Sequence, residues 1–148
     1  MAGSGVFLDT NILVCAVRPE SPRYFHARGL LRRLEEADSE IWISRQILRE
    51  FLTVLSRPQP PLPPMTRNAL LSAAQEYERA FCFAEDQDVV TQQLFLLLDQ
   101  IPTGGKQVHD ANIVATMLAY GIPRLVTYNL EDFRRFSGLV DVSDDVST

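Results

Sequence analysis

The sequence predicts an α/β fold, a three-layer α/β/α domain with a central, mostly parallel sheet flanked by helices. Three observations predict it. Short apolar runs of strand length recur at residues 6–9, 41–43, 81–83, 125–127 and 140–143. Segments with helical periodicity or helix-cap residues separate them, which implies βαβ crossovers and a sheet covered on both faces. The chain has 148 residues, 46% of them apolar and 22% charged, enough for one such domain and too short for two ordinary ones. Residues 6–142 form that domain, with 1–5 a flexible tail or cloning remnant and 143–148 a C-terminal tail.

The elements follow in order. The first strand leads into a short helix over 11–17. Residues 24–36 place Leu30, Leu31 and Leu34 on one helical side. After the second strand, Ser44 caps a helix to Ser56 in which Leu48, Phe51, Leu52 and Leu55 follow the i, i+3, i+4, i+7 rule. The proline-rich stretch 58–64 is a stiff connector between helices. Thr66 caps a helix to about Ala80, and the third strand follows. Asp86 or Gln87 opens a helix to Gln100, 102–106 is a turn or flexible loop, and Asp110 opens a helix stopped near Gly121. The fourth strand, a short helix over 132–136 and the fifth strand complete the chain.

Composition narrows the function. A net charge of −5 argues against a general nucleic-acid coat, though acids gathered around divalent cations would offset much of it. The basic residues are 13 Arg and one Lys, Lys106, and Arg contacts phosphate bidentately where Lys does not. No apolar run approaches the roughly 20 residues that span a bilayer, and the N-terminus lacks a signal-peptide core, so a cytoplasmic protein without a membrane partner is expected. Cys15 and Cys82 sit in apolar segments without metal-ligand spacing and read as small buried hydrophobes. Gly104-Gly105-Lys106 lacks the spacing of a phosphate loop.

The chemistry lies in the acids. Asp9 ends the first strand, where ligands of open α/β sheets bind. Glu50 lies within a helix beside Ile47 and Val54, Asp110 opens a helix, and Asn129 and Asp132 follow the fourth strand. Strand ends and the helix starts after them share one edge, so Asp9 and the Asn129–Asp132 group should converge. Each acid has a plainer reading: Asp9, Asp110 and Asp132 are good helix caps, and Glu50 suits a surface pair with Arg45 or Arg49. Several carboxylates in one cleft repel unless a cation intervenes, and a site built from acids suits Mg2+ or Mn2+ rather than zinc. Asn11 and Thr127 are candidates to orient those acids by hydrogen bonds. His109, beside Asp110, is more simply a surface residue.

Asp9-Thr10-Asn11 after a strand, Arg49-Glu50-Phe51 in a helix, His109-Asp110-Ala111-Asn112-Ile113 and Thr127-Tyr128-Asn129-Leu130-Glu131-Asp132-Phe133 together resemble the PIN-domain nucleases. Among these the chain is most similar to VapC-type toxins of toxin–antitoxin pairs. The resemblance spans residues 6–142 and rests on the order and spacing of four short motifs. It implies an Mg2+- or Mn2+-dependent endoribonuclease that leaves a 5′-phosphate and a 3′-hydroxyl. It also implies a homodimer and inhibition by a VapB-type antitoxin. Asp9, Glu50 and Asp110 match the three core acids as catalytic metal ligands. Many members carry an acid where this chain has Asn129; Asp132 is the candidate to replace it, through water, which would leave one tightly held ion rather than two. Arg45, Arg49 and Lys106 are candidate RNA contacts.

Three other readings compete. The same domain would serve RNA maturation or DNA cleavage without an antitoxin. A phosphate-accepting receiver domain also carries acids at strand ends, but needs a Lys after a late strand, where this chain has Tyr128-Asn129. A catalytically weak metal- or nucleic-acid-binding domain would explain Asn129.

Overall fold

A computed structural model describes residues 5–146. Strands β1 (Val6–Leu8), β2 (Ile41–Ser44), β3 (Cys82–Ala84), β4 (Arg124–Val126) and β5 (Asp141–Ser143) form one sheet in the order β3-β2-β1-β4-β5. Every neighbouring pair is parallel. Helices α1 (Thr10–Ala16), α2 (Tyr24–Glu36), α3 (Arg45–Ser56), α4 (Arg67–Ala80), α5 (Asp88–Gln100), α6 (Gln107–Tyr120) and α7 (Leu130–Phe133) connect the strands, with a 3-10 turn at Arg134–Phe136. In a receiver-type sheet the first strand lies between the second and third; here β1 lies between β2 and β4, which removes the receiver reading.

β1 is central, and Val6, Phe7 and Leu8 are all fully buried. Burial on both faces explains why the sequence shows an unbroken apolar run rather than alternation. The core continues through Ile12 and Leu13 of α1, Leu30 of α2, Phe51 and Leu55 of α3, and Phe133 and Phe136 near the C-terminus. Each large side chain so buried contributes about 1.5–3 kcal/mol. Ser44 and Thr66 cap α3 and α4 as expected, accepting from the amides of Ile47 at 3.4 Å and Ala69 at 3.2 Å. Gly121 ends α6 in the left-handed region at φ 67°, and Ile122 N–H returns to the Met117 carbonyl at 2.9 Å.

Four expectations change. α6 starts at Gln107, so Asp110 lies inside the helix rather than capping it. Lys106 occupies the cap position without a side-chain hydrogen bond, while Ala111 and Ile113 through Met117 are buried; tertiary packing sets this start. α7 likewise begins at Leu130, which places Asp132 within it. Cys82 is exposed, because β3 is an edge strand. Gly5 is buried against the start of β1 and Ser143 belongs to β5, while positions 1–4 and 147–148 of the expected tails lie outside the described residues.

The proline connector folds into a tight turn, with Leu62 N–H bonded to the Gln59 carbonyl at 2.8 Å. Arg18 ties it to the end of α1 through a 3.2 Å bond to the Pro63 carbonyl. Among the described residues, no helix is long and apolar enough to cross a membrane.

Candidate active site

The strand order turns back between β1 and β4, and at such a point the carboxyl ends of neighbouring strands open a crevice. Leu8 pairs with Val126 in the ladder, so the next residues, Asp9 and Thr127, emerge side by side. Asp9 N–H still reaches the Val126 carbonyl at 3.0 Å. The plain reading of Asp9 as a helix cap holds, and it occupies only one of the two carboxylate oxygens. One carboxylate oxygen, Oδ1, caps α1 through Thr10 N–H at 2.8 Å. The other, Oδ2, accepts from Thr127 Oγ1 at 2.7 Å and Asn11 Nδ2 at 3.3 Å.

This support is itself cross-braced. Asn11 Nδ2 also donates to Thr127 Oγ1 at 3.2 Å, and Tyr128 N–H donates to Asn11 Oδ1 at 3.1 Å. Asn129 N–H donates to Thr127 Oγ1 at 3.0 Å. The Thr127 hydroxyl thus has one proton to give, and its other contacts leave that proton directed at Asp9.

A cleft of about 390 Å³ opens over this corner. Asp9, Glu50 and Asp110 line it together, and Asn11 and Asn129 are among the other polar residues of the wall. α3 supplies Glu50, whose Oε1 accepts from Thr10 Oγ1 at 3.4 Å. α6 supplies Asp110 one turn below its start, with Ile113 on the same helical side. The apolar remainder of the wall is Val14, Cys15 and Val54.

Electrostatics register the crowding. Burial raises the Asp9 carboxyl, with Asp132 adding to the effect and the Thr127, Thr10 and Asn11 hydrogen bonds opposing it. Burial and then Asp9 raise Glu50. Burial, Asp9 and Asp132 push Asp110 up to about 6, against the pull of His109 and Arg135. Three acids that each favour the proton, at the end of one sheet, form a site short of positive charge.

Among the described residues, no three carboxylate, imidazole or thiol groups already stand in a closed ion-binding arrangement. The donor chemistry nevertheless fits a hard divalent cation: oxygen donors from Asp9, Glu50 and Asp110 face one open cleft, and burial first, then nearby acids, raises each carboxyl.

The remaining candidates separate. Asn129 is on the cleft wall, whereas Asp132 is exposed on α7 and reaches the acids through its field rather than from the lining. Arg45 is engaged elsewhere: its guanidinium grips Glu85 through two bonds of 2.9 Å and Glu78 through one of 2.5 Å, stacked 4.1 Å from the Phe83 ring centre. That removes Arg45 both as an RNA contact and as the surface partner of Glu50. Arg49 and Lys106 are exposed and stand outside the cleft lining. His109 is exposed as well, and its carbonyl accepts from Gln46 Nε2 at 3.0 Å.

Sequence reasoning missed Arg57, among the described residues the one cationic side chain in the cleft wall. The signal was present: Glu50, Thr53, Val54 and Arg57 keep the i, i+3, i+4, i+7 spacing and all four line the cleft.

With this geometry in view, the comparisons are consistent. The PIN domain model matches residues 6–139, and the chain belongs to the PIN-domain family. No curated protein matches it. Among solved structures it is similar to VapC20 of Mycobacterium tuberculosis, a sarcin–ricin-loop-cleaving toxin, with 18% identity, TM-score 0.65 and coverage of 87% of this chain and 93% of that one. VapBC2 of Rickettsia felis, bound to a promoter DNA fragment, gives 20% identity and TM-score 0.69, covering 97% and 99%. FitAcB of Neisseria gonorrhoeae gives 15% identity and TM-score 0.59, covering 94% and 96%. At these identities the likeness is one of fold.

Proposed function

We propose that this PIN-domain protein is a metal-dependent endoribonuclease acting as the toxin of a type II toxin–antitoxin pair. The observation that carries the reading is the convergence of Asp9, Glu50 and Asp110 on one cleft at the sheet's carboxyl edge. These three acids would hold Mg2+ or Mn2+, with Thr127 and Asn11 fixing the Asp9 carboxylate and Asn129 contributing from the wall. The chemistry such an ion would supply is a more acidic bound water and offset of charge on the phosphodiester. Arg57 faces the same cleft and supplies the cation that a phosphate needs beside an acidic floor. Asp132 tunes the acids electrostatically.

The similarity to VapC20 and to the VapBC2 assembly supports a toxin role, an RNA substrate and a VapB-type antitoxin as partner, and we propose with it a homodimer in the cytoplasm. The test is incubation of the purified protein with structured and single-stranded RNA, and with DNA, in Mg2+, Mn2+ or EDTA. RNA is cut in either metal and left intact in EDTA. Cleavage of DNA in preference to RNA would replace this reading with the DNA-cleaving one. Metal binding without cleavage of any nucleic acid would leave a binding domain.

A further inference from the structure

Outside the cleft lining, a second group of side chains joins three distant parts of the chain. His26 on α2 places Nδ1 2.7 Å from the Tyr128 hydroxyl and Nε2 3.2 Å from Asp145 Oδ2, beyond β5. A carboxylate only accepts, so in the neutral ring Nε2 carries the proton and Nδ1 accepts from the Tyr128 hydroxyl. Burial holds that hydroxyl protonated, pushing it up to about 12, so it stays a donor. Arg33 pairs with the same Asp145 carboxylate, and Arg23 lies over the Tyr128 ring, 4.2 Å from its centre.

The group leads straight to the acids. Tyr128 sits between Thr127 and Asn129, and its amide fixes Asn11 Oδ1 at 3.1 Å. With its oxygen so held, the Asn11 carboxamide must present Nδ2 to Asp9 Oδ2 and Thr127 Oγ1. A flipped Asn11 would turn an oxygen toward the Asp9 carboxylate and repel it.

We propose that Asp145, His26 and Tyr128 form a positioning clamp that holds the loop between β4 and α7 and, through Asn11, sets the orientation of Asp9. The catalytic role of the clamp rests on the nuclease reading; its structural action on Asn11 does not. None of these three residues lines the cleft itself. They act through the Tyr128 backbone, and the segment after β5 becomes part of the site's support.

The test compares wild type with Tyr128→Phe, which removes one oxygen and keeps the ring under Arg23, and with Asp145→Ala. Three quantities are read: kcat and KM on an RNA substrate, Mn2+ affinity by titration, and the Asn11 side-chain amide resonances by NMR. Outer partners of metal ligands commonly cost ten- to a hundredfold in affinity or activity. We expect both variants to lose about tenfold in kcat at an unchanged KM, to bind Mn2+ more weakly, and to shift the Asn11 resonances. Normal kcat, Mn2+ affinity and Asn11 resonances in Tyr128→Phe would overturn the clamp. So would a fall in melting temperature with those three readings unchanged. A wild type that cuts no RNA would sink the nuclease reading, while the Asn11 resonances would still decide whether the clamp exists.

Discussion

Thr127 Oγ1 donates its only proton to Asp9 Oδ2 at 2.7 Å, joining the ends of β4 and β1 where the sheet order turns back. Both side chains are buried, so the bond is shielded from water and fixes one of the two Asp9 oxygens. Thr127→Val keeps the shape and removes the donor. Hydrogen bonds to charged groups contribute about 1.5–3 kcal/mol. Thr127→Val therefore lowers kcat on RNA about tenfold or more and weakens Mn2+ binding, whereas Thr127→Ser retains most of both; steady-state kinetics and metal titration check this.

Arg57, the residue that follows the last turn of α3, lines the same cleft as Glu50 within that helix. If Arg57 contacts the scissile strand's phosphates, Arg57→Ala raises KM for RNA about tenfold, the equivalent of one charge-assisted bond, and leaves Mn2+ affinity unchanged. Arg57→Lys recovers part of the loss, because a point charge replaces a bidentate fork. An unchanged KM in Arg57→Ala would remove it from the substrate path.

Arg45 gives the opposite expectation. Its bonds to Glu85 and Glu78 tie the start of α3 to α4 and to the end of β3. Exposed pairs of this kind are screened by water and salt and contribute little. Arg45→Ala therefore lowers the midpoint of denaturant unfolding only slightly and leaves KM for RNA as it was.

The raised acids set a pH dependence with a definite sign. The folded protein binds protons at Asp110 up to about 6, against an ordinary value of 3.8, so between these the native state holds more protons than the unfolded chain. Stability of the metal-free protein from this group is present at low pH and declines as pH rises through that window, and the raised Asp9 and Glu50 act in the same direction. Added Mg2+ or Mn2+ stabilises the protein most above the window, where the carboxylates are ionised. Calorimetry from pH 4 to 8, in EDTA and with metal, measures both slopes; a metal-free protein stabilised by rising pH through the window would contradict the assignment.

How much of this was readable in the chain depends on distance along it. Asp9, Ser44 and Thr66 announce strand ends and helix starts through local chemistry, and each appears where its residue type predicts. The start of α6 was hidden because Gly104 and Gly105 read as a loop and Asp110 as a cap, while burial along the helix sets the true boundary. The convergence of Asp9 with Asn129 followed from a parallel sheet with one active edge, whereas Glu50 and Asp110 joined them through the PIN-domain resemblance. Arg45 misled because its partners, Glu78 and Glu85, come from elements that no local pattern connects to it. The His26–Tyr128–Asp145 group was invisible for the same reason, since its members are brought together only by the folded sheet.

The central claim is that Asp9 and Asp110 serve one metal-dependent site. It is tested most directly by single-turnover RNA cleavage in Mn2+ with Asp9→Asn, Asp110→Asn and the double variant. Residues acting as a unit are strongly non-additive. Each single variant should lose nearly all activity, and the double variant should be no worse than either. Wild-type cleavage by either single variant, or losses that simply multiply in the double variant, would contradict the shared site.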